Sequence, residues 1–152
     1  MSDIMRISAK GRYALASLTY MAQQHNNGEY ITIINISEEL GISKIYLEQV
    51  FSLLKKAELV ISSKGSQGGY LLARSPEEIT VLDVLTAVEV SLFEQTNDTV
   101  PDKAPEIEKA LKGSVFDVMD KVISKTLSNI TLADLVSEAE KHKTDQALMF
   151  YI

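Results

Sequence analysis

The sequence contains no cysteine and no tryptophan among its 152 residues. The lack of cysteine excludes disulfides, thiolate nucleophiles, zinc–thiolate sites and iron–sulfur clusters with their usual ligands. Long apolar runs are also missing, since no stretch approaches the roughly 18 residues that cross a membrane. The first residues lack the basic and then apolar pattern of a secretory signal peptide. We therefore expect a cytoplasmic protein with no membrane contact, no bound metal and no cofactor.

An excess of positive charge is missing as well, because the sequence has 15 lysines and arginines but 21 acidic residues, which gives a net charge of −6. Proteins that bind nucleic acid are usually basic. The acidity is uneven, however. Residues 1–80 contain eight basic and eight acidic residues, whereas residues 81–152 contain seven basic and thirteen acidic residues. Residues 42–74 contain five basic and two acidic residues, a local charge of +3. Because salt screens charges beyond about 8 Å, the overall acidity does not exclude DNA binding by the N-terminal half.

Groups that could carry catalysis are few. The two histidines, His25 and His142, are predicted at helix ends, where an imidazolium interacts favourably with the helix dipole. The glycine-rich segment at 65–69 lacks the spacing of a phosphate-binding loop and stands between two β-rich runs rather than before a helix. The carboxylates show no pairing beyond that of solvated helix faces. The sequence therefore does not predict an enzyme.

Two short helices joined by a glycine turn form the most informative local pattern. Thr32 is predicted to cap a helix over residues 33–40, and Gly41 stands where that helix should stop. Ser43 is predicted to cap a second helix over residues 44–57, whose apolar residues share one face. Two helices in this arrangement are typical of a helix-turn-helix.

A hairpin is predicted directly after this pair. The β-rich runs at 59–62 and 70–73 flank the glycine-rich segment and favour two antiparallel strands. Together with an earlier helix capped by Ser8, these elements predict a mainly α-helical fold with a small β-hairpin wing. We expect a winged helix-turn-helix DNA-binding domain over residues 1–80. Residues 81–152 are expected to form a linker helix, a long dimerisation helix, and a C-terminal helix with a tail.

The outer side of the second helix suits a DNA groove. A helix fits the major groove, which is about 12 Å wide, and Gln49 can read adenine there while Glu48 accepts from cytosine N4. The lysines and arginines can contact phosphates, or a minor groove in the case of Lys64. The alternative for each is an ordinary solvated surface residue. The predicted DNA contacts are Arg6, Lys10, Arg12, Ser43, Lys44, Tyr46, Glu48, Gln49, Ser52, Lys55, Lys56 and Lys64.

A long helix is predicted over residues 106–127, and Gly113 is expected to weaken it. Its apolar residues form two adjoining rows that cover an arc of roughly 160°, wider than one apolar stripe. Such a helix needs cover on two sides, which favours a homodimer over an intramolecular partner. The predicted dimer contacts are Leu111, Val115, Val118, Met119, Val122 and Ile123.

Several of these segments resemble the Rrf2 family of bacterial transcriptional regulators, and they occur in the family's order. They are residues 5–14, 42–49, 54–60, 64–72, 79–84 and 130–135. The resemblance implies a dimeric winged-helix factor that pairs through the long helix and binds a palindrome-like operator. It also implies that Glu48 takes part in reading cytosine. At the position of Lys64 the family often has an arginine that enters the minor groove; lysine keeps the charge but lacks the planar fork.

The chain departs from the family's cluster-binding sensors, which place three cysteines between the fourth helix and the long helix. Residues 91–102 offer no thiolate there, so direct sensing of iron, nitric oxide or redox state through a cluster is not expected. The apolar end at 149–152 is similar to the cysteine-free branch of the family, which contains a repressor of cysteine metabolism. That branch acts with O-acetylserine sulfhydrylase (cysteine synthase), an enzyme class that accepts partner C-termini ending in isoleucine.

The resemblance thus implies a repressor of sulfur and cysteine metabolism genes, with Tyr151 and Ile152 as partner-binding residues. These two residues follow a last helix predicted over residues 132–141. The alternative for the tail is simple packing on the dimer. Two further functions stay open: a regulator of the same family that binds a small ligand between the wing domain and the long helix, and a protein-interaction module without DNA binding.

Overall fold

The computed structural model describes residues 7–63, 65, 68–89, 91 and 94–150. The first helices are α1 (Ala9–Gln23), α2 (Ile33–Leu40), α3 (Lys44–Lys56) and α4 (Val81–Val88). They are followed by α5 (Pro105–Leu111), a π turn (Lys112–Phe116), α6 (Asp117–Ser128) and α7 (Leu132–Phe150). Two 3-10 turns occupy His25–Asn27 and Pro76–Glu78, and the strands are β1 (Val60–Ser62) and β2 (Tyr70–Leu72). The predicted fold class, mainly helical with a small hairpin, is confirmed.

The hairpin pairs β1 with β2 in antiparallel register and depends on glycine at its turn. Gly68 and Gly69 have φ angles of 70° and 116°, which glycine adopts most readily. A Cβ on Gly69 would also lie 3.0 Å from the Cβ of Tyr30. Ile31 and Tyr70 exchange backbone hydrogen bonds of 2.9 and 2.8 Å. This bridge adds a third short segment to the wing and ties it to the loop before α2.

The main hydrophobic core is built from both halves of the chain. Leu18 of α1 and Phe51 of α3 are fully buried in it. Val84 of α4 and Leu132 of α7 are buried to the same degree and belong to the same cluster. The linker helix and the start of the C-terminal helix therefore pack directly against the helix-turn-helix.

Two Ile-Thr segments that are far apart in the sequence lie side by side. Thr80 and Asp83 exchange hydrogen bonds of 3.0 and 3.1 Å at the start of α4. Thr131 and Asp134 do the same at the start of α7, with distances of 2.9 and 3.1 Å. Each pair is a capping box with aspartate in the third helical position. Because Thr80 and Thr131 also form an antiparallel bridge, α4 and α7 begin at the same point of the fold.

The long helix extends from residue 105 to residue 128 as α5, the π turn and α6. The irregularity expected at Gly113 takes the form of this π turn, which contains it. A π turn adds one residue to a helical turn and is often found at functional positions. The residues before it are thereby rotated about the axis relative to those after it.

The last helix runs further than the sequence predicts. Its expected end near Lys141 is wrong, because α7 continues to Phe150. Residues 141–146 are all polar and interrupt the apolar stripe, but they include no glycine or proline that would stop a helix. None of the helices described is long and apolar enough to cross a membrane.

A buried carboxylate accepts hydrogen bonds at the start of α1. Glu89, directly after α4, is only 7% exposed and accepts hydrogen bonds from the backbone nitrogen and the hydroxyl of Ser8, at 2.9 and 2.7 Å. A negative charge at a helix N-terminus interacts favourably with the helix dipole. A Cβ on Gly11 would lie 2.6 Å from Oε2 of Glu89, so glycine permits this approach. This contact joins the residue after α4 to the first turn of α1.

Candidate nucleic-acid interface

The turn between α2 and α3 is held by local polar contacts. Gly41 ends α2 in the left-handed conformation, with a φ of 68°, where a side chain would be strained. The Ser37 hydroxyl donates to the backbone oxygen of Ile42 at 2.6 Å. Ser43 Oγ then accepts from the backbone nitrogen of Tyr46 at 3.5 Å and caps α3. These contacts set the angle at which α3 leaves the turn.

The helix α3 has one buried side and one exposed side. Its buried side consists of Leu47, Val50, Phe51 and Leu54. Glu48, Gln49 and Ser52 are exposed on the other side. Lys44 Nζ lies 4.0 Å from Glu48 Oε1, and both side chains are more than half exposed. Such a surface ion pair contributes little to stability, so it does not prevent either side chain from making another contact.

Two tyrosines join α1 to α3 and place a basic residue of α1 near this contact. Tyr46 is half-buried, and its ring meets that of Tyr13 edge-on, with centroids 5.1 Å apart and planes at 85°. The guanidinium carbon of Arg12 lies 5.9 Å from the Tyr13 centroid, within the range of a cation–π contact. Arg12 is exposed and Lys10 is half-buried. Tyr46 therefore joins α3 to α1 and brings Arg12 close to the first turn of α3.

The lysines at the end of α3 lie far from its first turn. Lys55 and Lys56 are exposed in the last turn. At 1.5 Å per residue they lie about 17 and 18 Å along the axis from Lys44. Arg74, which contributes to the local positive charge, instead lies 3.6 Å from Asp83 Oδ2 in α4. The exposed side of α3 therefore carries positive charge at both ends, with Glu48, Gln49 and Ser52 between them.

Four predicted site residues lie outside the described residues: Arg6, Lys64, Tyr151 and Ile152. Next to Lys64, the backbone nitrogen of Gly65 donates to Ser63 Oγ at 3.0 Å.

The predicted dimer residues form a largely uncovered apolar row on the long helix. Val115, Val118, Met119 and Val122 are 42, 48, 49 and 58% exposed. Leu111 and Ile123 are half-buried. The helix α6 also packs against α4 of the same chain. A contiguous apolar surface of this kind usually marks an interface.

The exposed side of α3 contains one residue that is absent from the predicted contacts. Ile45, the second residue of the helix, is 71% exposed. The predicted contacts are hydrogen-bonding and charged side chains, and Ile45 belongs to neither class. The sequence does contain a signal, since an isoleucine two residues before Leu47 falls on the side of the helix opposite the apolar stripe.

Comparisons with known proteins agree with this geometry. Residues 7–138 match the Rrf2 family, described as "Iron-dependent Transcriptional regulator". The HTH-type transcriptional regulator IscR of Sodalis glossinidius is 40% identical over 136 residues, which cover 90% of this chain and 81% of that protein. The IscR of Erwinia tasmaniensis is 39% identical with the same coverage.

Solved structures of the same kind also match. The structure of T. potens IscR is 34% identical, with a TM-score of 0.70 and 91% of each chain covered. The structure of CymR, the global cysteine regulator of B. subtilis, is 31% identical, with a TM-score of 0.66 and coverage of 89% of this chain and 98% of that chain. The chain belongs to the Rrf2 family of DNA-binding winged-helix transcriptional regulators and, as the sequence predicts, is not an enzyme.

Proposed function

We propose that the chain acts as a homodimeric repressor on a palindromic operator. The observation that carries this proposal is the exposed apolar row of Val115, Val118 and Val122 on the long helix. Two copies joined through this row form a two-fold symmetric dimer. Such a dimer presents α3 twice, and helix-turn-helix dimers bind half-sites separated by one or more turns of the duplex.

Within each half-site we assign different roles to the exposed residues. Glu48 and Gln49 read base edges, because their side chains match the donors and acceptors of cytosine and adenine. Ser43, Lys44 and Tyr46, at the first turn of α3, approach the same groove. Ser52 lies one turn after Glu48 and Gln49 and contacts the same groove. The remaining proposed contacts are phosphate or minor-groove contacts by Arg6, Lys10, Arg12, Lys55, Lys56 and Lys64.

Replacing Lys55 and Lys56 by alanine is expected to weaken binding to all duplexes alike and to flatten its salt dependence. Each phosphate contact contributes about one unit to the slope of log affinity against log salt concentration. We therefore expect the magnitude of this slope to fall by up to about two units per protomer. Fluorescence anisotropy at several salt concentrations measures the slope. The matched control replaces Lys141 and Lys143, exposed lysines of α7, and should leave the slope unchanged. An unaltered slope in the Lys55 and Lys56 variant would exclude their phosphate role.

Iron is named in the description of the family, but the usual ligands are missing from this chain. Iron–sulfur clusters are held mainly by cysteine thiolates, and the sequence contains none. Over the described ranges there is also no group of three histidine or carboxylate side chains placed to hold a metal ion. An iron–sulfur cluster therefore does not fit, which supports a signal that reaches the dimer from a partner or a ligand.

For that signal we propose a partner enzyme, O-acetylserine sulfhydrylase (cysteine synthase), and a role in sulfur and cysteine metabolism. The similarity to the global cysteine regulator of B. subtilis supports this regulon. The end of α7 supports a protein contact, because Leu148, Met149 and Phe150 are 57, 77 and 84% exposed. Exposed apolar side chains on a helix suit a groove on another protein. Tyr151 and Ile152, which follow this helix, are the proposed anchor.

Removal of Ile152 is expected to abolish binding of cysteine synthase and to leave DNA affinity intact. Titration calorimetry of the enzyme with the full chain and with the shortened chain measures the first effect, and anisotropy with operator DNA measures the second. We expect at least a 100-fold loss of enzyme affinity, because an anchor residue in a pocket carries much of the binding energy. An Ile152→Val variant should retain most of it. Equal heats for the full and shortened chains would reject the anchor.

Direct sensing of a small polar ligand is a second candidate, favoured by one cavity whose lining, among the described residues, includes none from the wing domain, where the sequence predicts the ligand. This cavity, of about 120 Å³, lies between the loop before α5 and the long helix. Its lining includes loop residues 95–98 and Lys112 and Asp120 of the helix. Glu108 of α5 accepts from the backbone nitrogen of Thr99 at 2.7 Å and holds the loop in place. Calorimetric titration of the chain with cysteine alone separates the candidates, since heat without the enzyme would favour this one.

A further inference from the structure

Ile45, in the first turn of α3, points directly away from the buried side of the helix. With 100° between successive residues, Ile45, Gln49, Ser52 and Lys56 follow one another along a single row. This row lies opposite the buried side of the helix. Gln49, Ser52 and Lys56 are polar or charged, whereas Ile45 exposes 71% of its surface. An apolar residue therefore occupies the first turn of a row that is otherwise suited to hydrogen bonds.

Neither packing nor helix formation accounts for isoleucine at this position. Ile45 is absent from the core cluster and from the apolar residues packed against it. Its neighbour Tyr46 makes the contact with α1 through Tyr13. A β-branched residue also has a lower helix propensity than the charged or polar residues that could replace it. The remaining explanation is a contact outside the chain.

We propose that Ile45 contacts the C5-methyl group of a thymine in the major groove and so adds a base preference to each half-site. The inference rests on the proposed operator binding. The thymine methyl is the apolar group that base pairs display in this groove, where the other readable features are hydrogen-bond donors and acceptors. In a helix-turn-helix the N-terminal residues of the recognition helix face the bases, and Ile45 lies one turn before Gln49. An apolar side chain gains nothing from a phosphate, which favours a base contact.

Deoxyuridine substitution tests this contact, because it removes only the methyl group from a thymine. Duplexes enriched from a random pool by the full-length chain supply the site, and each thymine is then replaced symmetrically in both half-sites. For the wild type we expect one position, or two adjacent ones, at which affinity falls about fourfold per methyl lost, as for one buried methyl group. In an Ile45→Ala variant, affinity for the thymine duplex should fall and this penalty should disappear.

Two variants serve as controls. Ile45→Val keeps a branched apolar side chain and should keep most of the penalty. Ile34→Ala removes an isoleucine that is 53% exposed at the second position of α2, and it should leave the penalty unchanged. Because Ile45 is exposed, thermal unfolding of its variants should match the wild type.

The possible outcomes separate this inference from the function on which it rests. An enriched site at which no deoxyuridine penalty depends on residue 45 would overturn the thymine contact and leave operator binding in place. A pool from which no sequence is enriched would contradict operator binding and the thymine contact together.

Discussion

Replacing both Val118 and Val122 by glutamate is expected to convert the dimer into a monomer. The two side chains are 48 and 58% exposed in one chain and lie on the apolar row proposed as the interface. Each glutamate would bring a carboxylate into an apolar contact without a partner, at a cost of several kcal/mol. We expect the dimer dissociation constant to rise at least about 1000-fold. Sedimentation velocity should then report a particle of 16.8 kDa rather than one of twice that mass.

Operator binding should fail in the same variant, although its recognition helices are unchanged. A dimer binds its second half-site as an intramolecular step, and a monomer loses that gain of 100-fold or more. The matched control is Lys121→Glu, which changes the net charge by the same two units at an exposed position of α6 outside the apolar row. That variant should remain dimeric. A double glutamate variant that sediments like the wild type would refute the long-helix interface.

Glu48→Ala is expected to relax base preference more than it lowers affinity. The side chain is exposed and pairs only weakly with Lys44, at 4.0 Å. A hydrogen bond from cytosine N4 to its carboxylate would supply about 1–3 kcal/mol of discrimination at one base pair. Loss of that contact should reduce discrimination there about tenfold. Affinity for unrelated duplexes should hold or rise, because a negative charge near the phosphates has been removed.

Competition anisotropy with duplexes that differ at single base pairs measures this effect. Glu38→Ala, which removes an exposed glutamate from α2, is the matched control and should preserve the base preference. A uniform loss of affinity across all duplexes would show instead that Glu48 acts on overall binding and not on base choice.

Local signals in the sequence account for most of the helices and the hairpin. Ser8, Thr32 and Ser43 each cap the helix predicted to follow, because a hydroxyl oxygen satisfies a free backbone N–H without help from the rest of the fold. Gly41 ends α2 for an equally local reason, since its φ of 68° disfavours other residues. The width of the apolar arc on the long helix likewise predicts that its own chain leaves part of it uncovered.

Contacts between distant residues could not be predicted in this way. The hydrogen bonds from Ser8 to Glu89 join residues 81 positions apart, and no periodicity links them. The ion pair of Arg74 with Asp83 joins one of the positive charges counted in residues 42–74 to α4, and local composition does not predict it. The apolar stripe does not predict the end of α7, because it marks only the part of a helix that packs, whereas a helix can continue beyond its packed part.

The central claim is that two copies of the chain read one duplex through symmetric half-sites. Selection of duplexes from a random pool by the full-length chain, followed by sequencing of the enriched pool, tests it most directly. We predict an inverted repeat whose half-sites are centred one helical turn apart, about 10 base pairs, or a multiple of it. An enriched site without two-fold symmetry, or a pool without enrichment, would contradict the claim.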